Sequence, residues 1–404
     1  MAQRNPNLAK LKSGYLFPEI NKRKQEFLLR NPQAKLISLG IGDTTEPLSP
    51  FISQYLETYS RGLATSEGYS GYGAEQGQLP LRTAISEVMY ESQISADEVF
   101  VSDGAKCDIG RLQLMFGAKA TLAVQNPTYP VYVDTGVALG QTDHFDAAAG
   151  HYGGIVYMKC VPENDFFPDL SQQPRTDLIY FCSPNNPTGS VATRKQLEQL
   201  VAFAKRNRSI LIYDAAYSVY IRDADIPRSI YEIEGAREVA IELGSFSKMA
   251  GFTGVRLAWS VIPKELHFDD GTPVSKDWHR INTTFFNGAS NIAQQGGLAV
   301  LREGQLRTVR QMVDFYMENA SILRAALEKR GLEVHGGLNA PYLWVRFPGR
   351  LSWDVFAELL ERSHLVTTPG SGFGAAGESF LRFSAFGRRE HIKEAVARLL
   401  ACHA

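Results

Sequence analysis

From residue 98 to residue 248, short apolar runs that end in small or polar residues take turns with longer amphipathic stretches. This alternation constrains the fold more than any other feature of the chain. The runs are EVFVSDG (98–104), ATLAVQNP (120–127), DLIYFCSPNNPTG (177–189), SILIYDAAYSVY (209–220) and EVAIELGSFSK (238–248). Each begins as a buried strand begins, with apolar residues close together. AKCDIGRLQLMFG (105–117) and TRKQLEQLVAFAKRN (193–207) read as helices, the second with Thr193 as its N-cap. Strand and helix in succession predict an α/β domain built on a mainly parallel sheet.

The end of the chain changes character. Two long helical stretches cover roughly 275–330, followed by YLWVRF (342–347), DVFAELLERS (354–363), FLRFSAF (380–386) and a final helix near 388–402. That pattern predicts a smaller α+β domain with antiparallel strands. A chain of 404 residues exceeds what one core usually serves. The expected division is an N-terminal arm and part of the small domain at 1–47, a large domain at 48–294 and the rest of the small domain at 295–404.

Charge and composition narrow the function. With 42 basic and 43 acidic residues the net charge is -1, which gives no support to a nucleic-acid or polybasic membrane role. No apolar run approaches the ~18 residues that a membrane span needs, and MAQRNPNLAKLKSGYLF at the start lacks an apolar signal core. Cys107, Cys160, Cys182 and Cys402 show no CxxC spacing, so reduced thiols and a cytoplasmic protein are expected. The eight histidines have no paired metal spacing, and no metal site is expected.

In open α/β sheets ligands bind beyond the carboxyl ends of the strands. Three successive strand ends here carry Asn186, then Asp214 with Tyr217, then Lys248, and they share one rim if the strands are parallel and adjacent. Pyridoxal phosphate asks for such a set. It needs a lysine to hold its aldehyde as an imine and a carboxylate at its ring nitrogen. Asn186 and Tyr217 can bond the phenolic oxygen of the ring. Ser245, Ser247 and Arg256 can bind the phosphate, with backbone N–H groups from the start of helix 105–117. Each residue alone has a plainer reading, as a turn, a cap or a solvated surface group. Their order and spacing together are what accident rarely produces.

Two other motifs compete. Gly372, Gly374 and Gly377 spell G-x-G-x-x-G, but the element that follows reads as a strand, so the dinucleotide reading lacks its strand-turn-helix context. Ser245 and Lys248 spell S-x-x-K, yet the partner motifs of that hydrolase class do not occur; VSDGA stops one residue short of the first.

At these residues the chain resembles the fold-type I PLP-dependent aminotransferases, over nearly its whole length. The family pattern stands as Asn186 to Gly189, Asp214 to Tyr217, and Ser245 to Lys248 with Arg256. In FLRFSAFG the arginine, Arg382, matches the one that binds a substrate α-carboxylate. LKSGYLFPEI (11–20), LISLGIGDTTEPL (36–48), GYSGYGAEQGQLPLR (68–82) and SFSKMAGFTGVR (245–256) carry a narrower resemblance, to the LL-diaminopimelate aminotransferase family. That resemblance implies interconversion of L-tetrahydrodipicolinate and LL-2,6-diaminopimelate, with glutamate and 2-oxoglutarate as the amino couple, in lysine and peptidoglycan precursor synthesis. It implies a homodimer in which Tyr72 reaches the cofactor phosphate of the neighbouring subunit, Ala105 and Lys106 meet the phosphate through N–H groups, and Tyr129 stacks on the ring. Asn287 is expected near cofactor and substrate. Tyr15, Gly42, Glu75, Lys106, Tyr129, Asn186, Asn287 and Arg382 are expected to hold the substrate, with Glu75 on its distal ammonium and Lys106 on its distal carboxylate. Lys248 is the expected proton carrier, with Asp214 and Tyr217 beside it. Met249 departs from the small polar residue expected after the lysine. A broader-range aminotransferase or β-lyase of the same fold would share Asp214, Lys248 and Arg256 and differ at Glu75, Lys106 and Asn287. A cofactor-binding transcription regulator would need a basic module for which the chain has no spare domain.

Overall fold

The computed structural model describes residues 1–11, 16–302 and 305–401. Its centre is a seven-stranded sheet of β1 (Val99–Ser102), β2 (Leu122–Asn126), β3 (Ile155–Lys159), β4 (Leu178–Cys182), β5 (Ile210–Asp214), β6 (Ala240–Ser245) and β7 (Ala258–Val261), in the spatial order β1-β7-β6-β5-β4-β2-β3. The strands β3, β2, β4, β5 and β6 run parallel, and β7 lies antiparallel between β6 and β1. The sheet is therefore mainly parallel, as the alternating runs predict. Two of its strands, β3 and β7, stand outside the runs singled out from the sequence.

Both faces of the sheet are covered, which is why its strands read as near-continuous apolar runs. Ile179, Phe181, Leu211 and Tyr213 belong to one hydrophobic core, and Leu178, Tyr180, Ile212 and Leu243 to the core on the other face. The helix Arg194–Asn207 starts where expected, with Thr193 Oγ1 accepting from the Gln196 N–H at 3.3 Å.

A third core lies elsewhere. It joins Leu16, Phe27 and Leu39 near the N-terminus to Leu343, Val345 and Phe383 near the other end of the chain. Its sheet holds β8 (Glu333–Gly336), β9 (Tyr342–Arg346), β10 (Thr368–Pro369) and β11 (Phe380–Ser384) in the order β8-β9-β11-β10, antiparallel throughout. Ile37–Ser38 pairs in parallel with Leu365–Val366, so the early segment packs with the late one. The region 275–330 holds three helices rather than two: Val274–Phe285, Asn291–Leu301 and Leu306–Lys329. Positive φ at Asn287 and Gly288 breaks the first from the second, and Ser290 caps the restart. The helix Leu306–Lys329 serves two cores, with Val313 and Tyr316 in the first and Leu323 and Leu327 in the third. Gly372, Gly374 and Gly377 lie in short turns between β10 and β11, not in a strand-turn-helix unit. No helix among the described residues is long and apolar enough to cross a membrane.

Candidate active site

The ends of β4, β5 and β6 are adjacent and parallel, so their last residues and the turns after them open onto one cavity of about 530 Å³. Asn186, Asp214 with Tyr217, and Lys248 all line it, which meets the expectation drawn from strand order. The turn after β4 is tied internally. Asn185 Oδ1 accepts from the Thr188 hydroxyl at 2.9 Å and its amide donates to Gln125 at 3.0 Å, leaving the neighbouring Asn186 to face the cavity. After β5, the Ala216 N–H donates to Asp214 Oδ1 at 3.0 Å, and the Tyr132 hydroxyl donates to Asp214 Oδ2 at 2.6 Å.

Ser245 ends β6 and caps a single helical turn, Phe246–Met249, by accepting from the Ser247 N–H. That turn carries Lys248 into the cavity. The Lys248 amine donates to the Gly42 carbonyl, and Tyr220 OH donates to the Lys248 carbonyl at 2.9 Å. Gly42 has no room for a side chain, because a Cβ there would stand 2.3 Å from the Tyr342 hydroxyl oxygen. Met249 turns the other way and is buried in the hydrophobic core, so this departure from the family pattern does not line the cavity.

One end of the cavity suits an anion. The helix Ala105–Phe116 begins there, and Ala105 and Lys106 line the wall. Gly104 has φ +131, and a Cβ on it would lie 2.1 Å from an Arg256 terminal nitrogen, so the absent side chain makes space for the guanidinium. Arg256 donates to Ser247 Oγ at 3.2 Å. Buried Asp108 accepts from Ser102 Oγ at 2.5 Å and from Arg111 at 2.9 Å, which anchors the first turn of that helix.

Another part of the cavity wall suits a carboxylate. Arg382 is 1% exposed. Its guanidinium lies 4.4 Å from the Tyr342 ring centroid and 5.0 Å from that of Phe373, and it donates to Asn186 Oδ1 at 2.6 Å. Its Nε has no hydrogen-bond partner among the described residues. Tyr342 joins this part of the wall to Tyr217, its hydroxyl 2.8 Å from that of Tyr217.

Burial dominates the electrostatics. It pushes the Lys248 amine down to about 8, with Asp43 opposing and Arg382 and Arg256 reinforcing the shift. It raises Asp214, against the hydrogen bonds from Tyr132 and Ala216. It drives Tyr217 well above the ordinary phenol value. A buried lysine whose proton is loosened this far is the kind of group that moves protons at ordinary pH.

Ala105, Lys106, Tyr129, Asn186, Asp214, Tyr217, Ser245, Ser247, Lys248, Arg256, Gly42 and Arg382 therefore meet in one cavity. Tyr72, Glu75 and Asn287 do not line it. Their segments meet outside it, where Gly288 packs on Ala74 and Glu75, and Asn291 bonds Ser70 at 3.2 Å and Gly71 at 3.0 Å. Tyr72 is 92% exposed. Tyr15 and Cys402 lie outside the described residues. The sequence reading missed Asp43, Tyr132 and Tyr342 as cavity residues. Asp43 and Tyr132 stand inside or beside quoted motifs, whereas nothing local marks Tyr342 within YLWVRF.

Residues 34–399 match the model of the family described as aminotransferase class I and II. The chain is 60% identical over 99% of its length to an LL-diaminopimelate aminotransferase of Protochlamydia amoebophila (strain UWE25), covering 97% of that protein. It is 59% identical over 98% of its length to a chloroplastic LL-diaminopimelate aminotransferase of Arabidopsis thaliana, covering 86% of that protein. Among solved structures, the L,L-diaminopimelate aminotransferase from Chlamydomonas reinhardtii superposes with a TM-score of 0.95 at 59% identity, over 98% of each chain.

Proposed function

The chain belongs to the aminotransferase class I and II family, and from that premise we propose that it transfers an amino group between LL-2,6-diaminopimelate and 2-oxoglutarate, with pyridoxal 5′-phosphate as cofactor. The products are glutamate and the keto acid that closes to L-tetrahydrodipicolinate with loss of water. In the other direction the reaction builds the precursor of lysine and peptidoglycan. The observation that carries this reading is one cavity holding Lys248, Asp214, an anion seat at Gly104–Lys106 with Arg256, and a buried Arg382.

The residues suit the cofactor. Arg256, Ser245, Ser247 and the N–H groups of Ala105 and Lys106 hold its phosphate. Asp214 would meet the ring nitrogen and favour its protonated form. Tyr217 and Asn186 would bond the phenolic oxygen, and Tyr129 would pack on the ring. When bound, pyridoxal phosphate supplies an aldehyde carbon that takes the amino group and a ring that draws charge from the substrate α-carbon.

The chain does the rest. Arg382 and Asn186 fix the α-carboxylate, and the Gly42 backbone closes over it. Lys248 would be the base that takes the substrate α-proton, and burial, which loosens the proton on its amine, favours that role. The amino donor leaves as a keto acid before the acceptor enters, so the kinetics are ping-pong.

A seven-carbon substrate with an amine and a carboxylate at each end needs charged partners at its far end as well, since an unpaired buried charge costs several kcal/mol. Lys106 takes the distal carboxylate. Glu75 and Asn287 take the distal amine from a second copy of the chain, whose Tyr72 reaches the phosphate, and Tyr15 is assigned to the substrate. The active unit is thus a two-fold homodimer. We assign 48–294 to the cofactor-binding domain and 295–404 to the small domain, with 1–47 as arm and small-domain partner because Leu16, Phe27 and Leu39 share its core. The free thiols of Cys107, Cys160 and Cys182 fit a cytoplasmic enzyme.

The test is an absorbance scan of protein incubated with pyridoxal phosphate, before and after LL-diaminopimelate, with meso-diaminopimelate and aspartate as controls. A band near ~420 nm that falls as one near ~330 nm rises, with the LL isomer, is the expected result. A response to the controls alone removes the substrate assignment. Lys248→Ala is expected to fold and to lack both the band and turnover, and full turnover in that variant would remove the mechanism.

A further inference from the structure

We propose that Tyr132 is the positioning residue of Asp214, its hydroxyl fixing the carboxylate so that the cofactor's ring nitrogen keeps its proton. The inference rests on the function proposed above and assigns a residue that the sequence reading left out.

Tyr132 sits in the first turn of the helix Val131–Leu139 and has no exposed surface. Its hydroxyl donates to Asp214 Oδ2 at 2.6 Å, a length typical of a charge-assisted O–H···O⁻ bond. The Ala216 N–H binds the other oxygen at 3.0 Å. One donor on each oxygen leaves the carboxylate a single orientation.

The tyrosine is itself held from three sides. Its ring stacks on Tyr180 with centroids 4.9 Å apart and planes 17° from parallel. Tyr129, the residue placed against the cofactor ring, meets it edge-on at 5.8 Å. Its carbonyl accepts from the Gln113 amide at 2.8 Å, and Gln113 belongs to the helix whose first turn forms the anion seat. Besides Asp214, the titratable group that faces the Tyr132 hydroxyl is the buried Cys182 thiol. Tyr132 is thereby joined to the ring-nitrogen carboxylate, the stacking ring and the phosphate helix.

The energetic reason is burial. Desolvation drives Asp214 toward its neutral form, and a neutral acid cannot hold a proton on the ring nitrogen by charge. Hydrogen bonds to the ionised form oppose that drive, and a donor to a buried charge matters more than one to a neutral group.

The experiment compares wild type, Tyr132→Phe, Asp214→Asn and the double variant, each loaded with pyridoxal phosphate. The readouts are the pH midpoint of the ~420 nm band, the cofactor dissociation constant, and kcat and KM for LL-diaminopimelate. Tyr132→Phe keeps the ring and its stacking. The expected result is kcat lowered about tenfold, as for loss of one hydrogen bond to a buried charge, with KM changed less than about twofold because the Tyr132 hydroxyl is spent on Asp214. The band midpoint is expected to move to higher pH by roughly half a unit to one unit, since a less positive ring leaves the neighbouring nitrogen more basic. In the Asp214→Asn background the same substitution is expected to do nothing further.

Tyr180→Phe, which trims the other ring of the stack, is expected to leave the midpoint in place. Placing 3-fluorotyrosine at 132 makes a stronger donor of the same shape and is expected to move the midpoint downward, so the inference stays testable even if Tyr132→Phe folds poorly. A wild-type protein without band or turnover overturns the function on which the inference rests. A normal wild type with an unchanged midpoint in Tyr132→Phe, or an equal shift in the Asp214→Asn background, overturns the role of Tyr132 alone.

Discussion

Lys248 shows how a residue is made useful at a cost to the fold. Its amine is pushed from 10.5 to about 8 because it is buried. The folded protein thus binds that proton less tightly than the unfolded chain. Below about pH 8 both forms carry the proton and the full penalty is present. Between about 8 and 10.5 the unfolded chain still holds a proton that the folded one has released, so this residue's contribution to stability rises with pH. Lys248→Met is therefore expected to stabilise the cofactor-free protein by about 2–3 kcal/mol at neutral pH, while abolishing turnover. Urea unfolding of both proteins across pH checks this, and the gap is expected to close as pH rises through the same window. A gap that widened would contradict the account. Lys248, Asp214 and Arg256 were legible in the sequence because their chemistry is scarce and their spacing regular. Asp43 and Tyr342 were not, since an aspartate in a loop and a tyrosine in a strand are ordinary until the fold turns them inward.

At the scale of elements, three parallel strand ends and one helix start make the site. The helix start depends on a residue that has no side chain. Gly104→Ala would strain a backbone at φ +131 and press a Cβ to 2.1 Å from the Arg256 guanidinium. The expected result is a loss of cofactor affinity of at least about tenfold, the scale of one disturbed charge-assisted contact. Absorbance titration with pyridoxal phosphate reads it; unchanged affinity would show that the guanidinium does not need that space. The parallel strands were readable because each is buried on both faces and therefore apolar throughout. The antiparallel strand Ala258–Val261 was not, since four buried residues carry no period and no direction. Its place between β6 and β1 is set by pairing across the sheet. The break near Asn287 escaped for a similar reason, because a positive φ at a non-glycine residue leaves no sure mark in the sequence.

At the scale of the whole molecule, one chain keeps Tyr72, Glu75 and Asn287 apart from its own cavity. If a second copy supplies these residues, two inactive variants can rescue each other. Co-expressed Lys248→Ala and Glu75→Ala chains would form hybrid dimers with one intact site of two. Random pairing is then expected to restore roughly a quarter of wild-type turnover with LL-diaminopimelate. Mixed variants with no more activity than either alone would place the distal-amine contact within a single chain. The same reading makes turnover per chain fall on dilution below the dimer dissociation constant, which distinguishes assembly from a folding defect.

By itself the sequence determined the class of fold and picked out Lys248 with Asp214, Ser245 and Ser247 with Arg256, and Arg382, which the structure brings to one cavity. These follow from residue type, local period and order along the chain, all of which are properties of short stretches. Only the tertiary structure decided that residues 16–39 share a core with residues 320–399, that Tyr132 rather than solvent binds Asp214, and that Tyr72, Glu75 and Asn287 do not line their own chain's cavity. Those outcomes depend on which distant surfaces pack together, and that is settled by the burial of whole faces rather than by any local pattern.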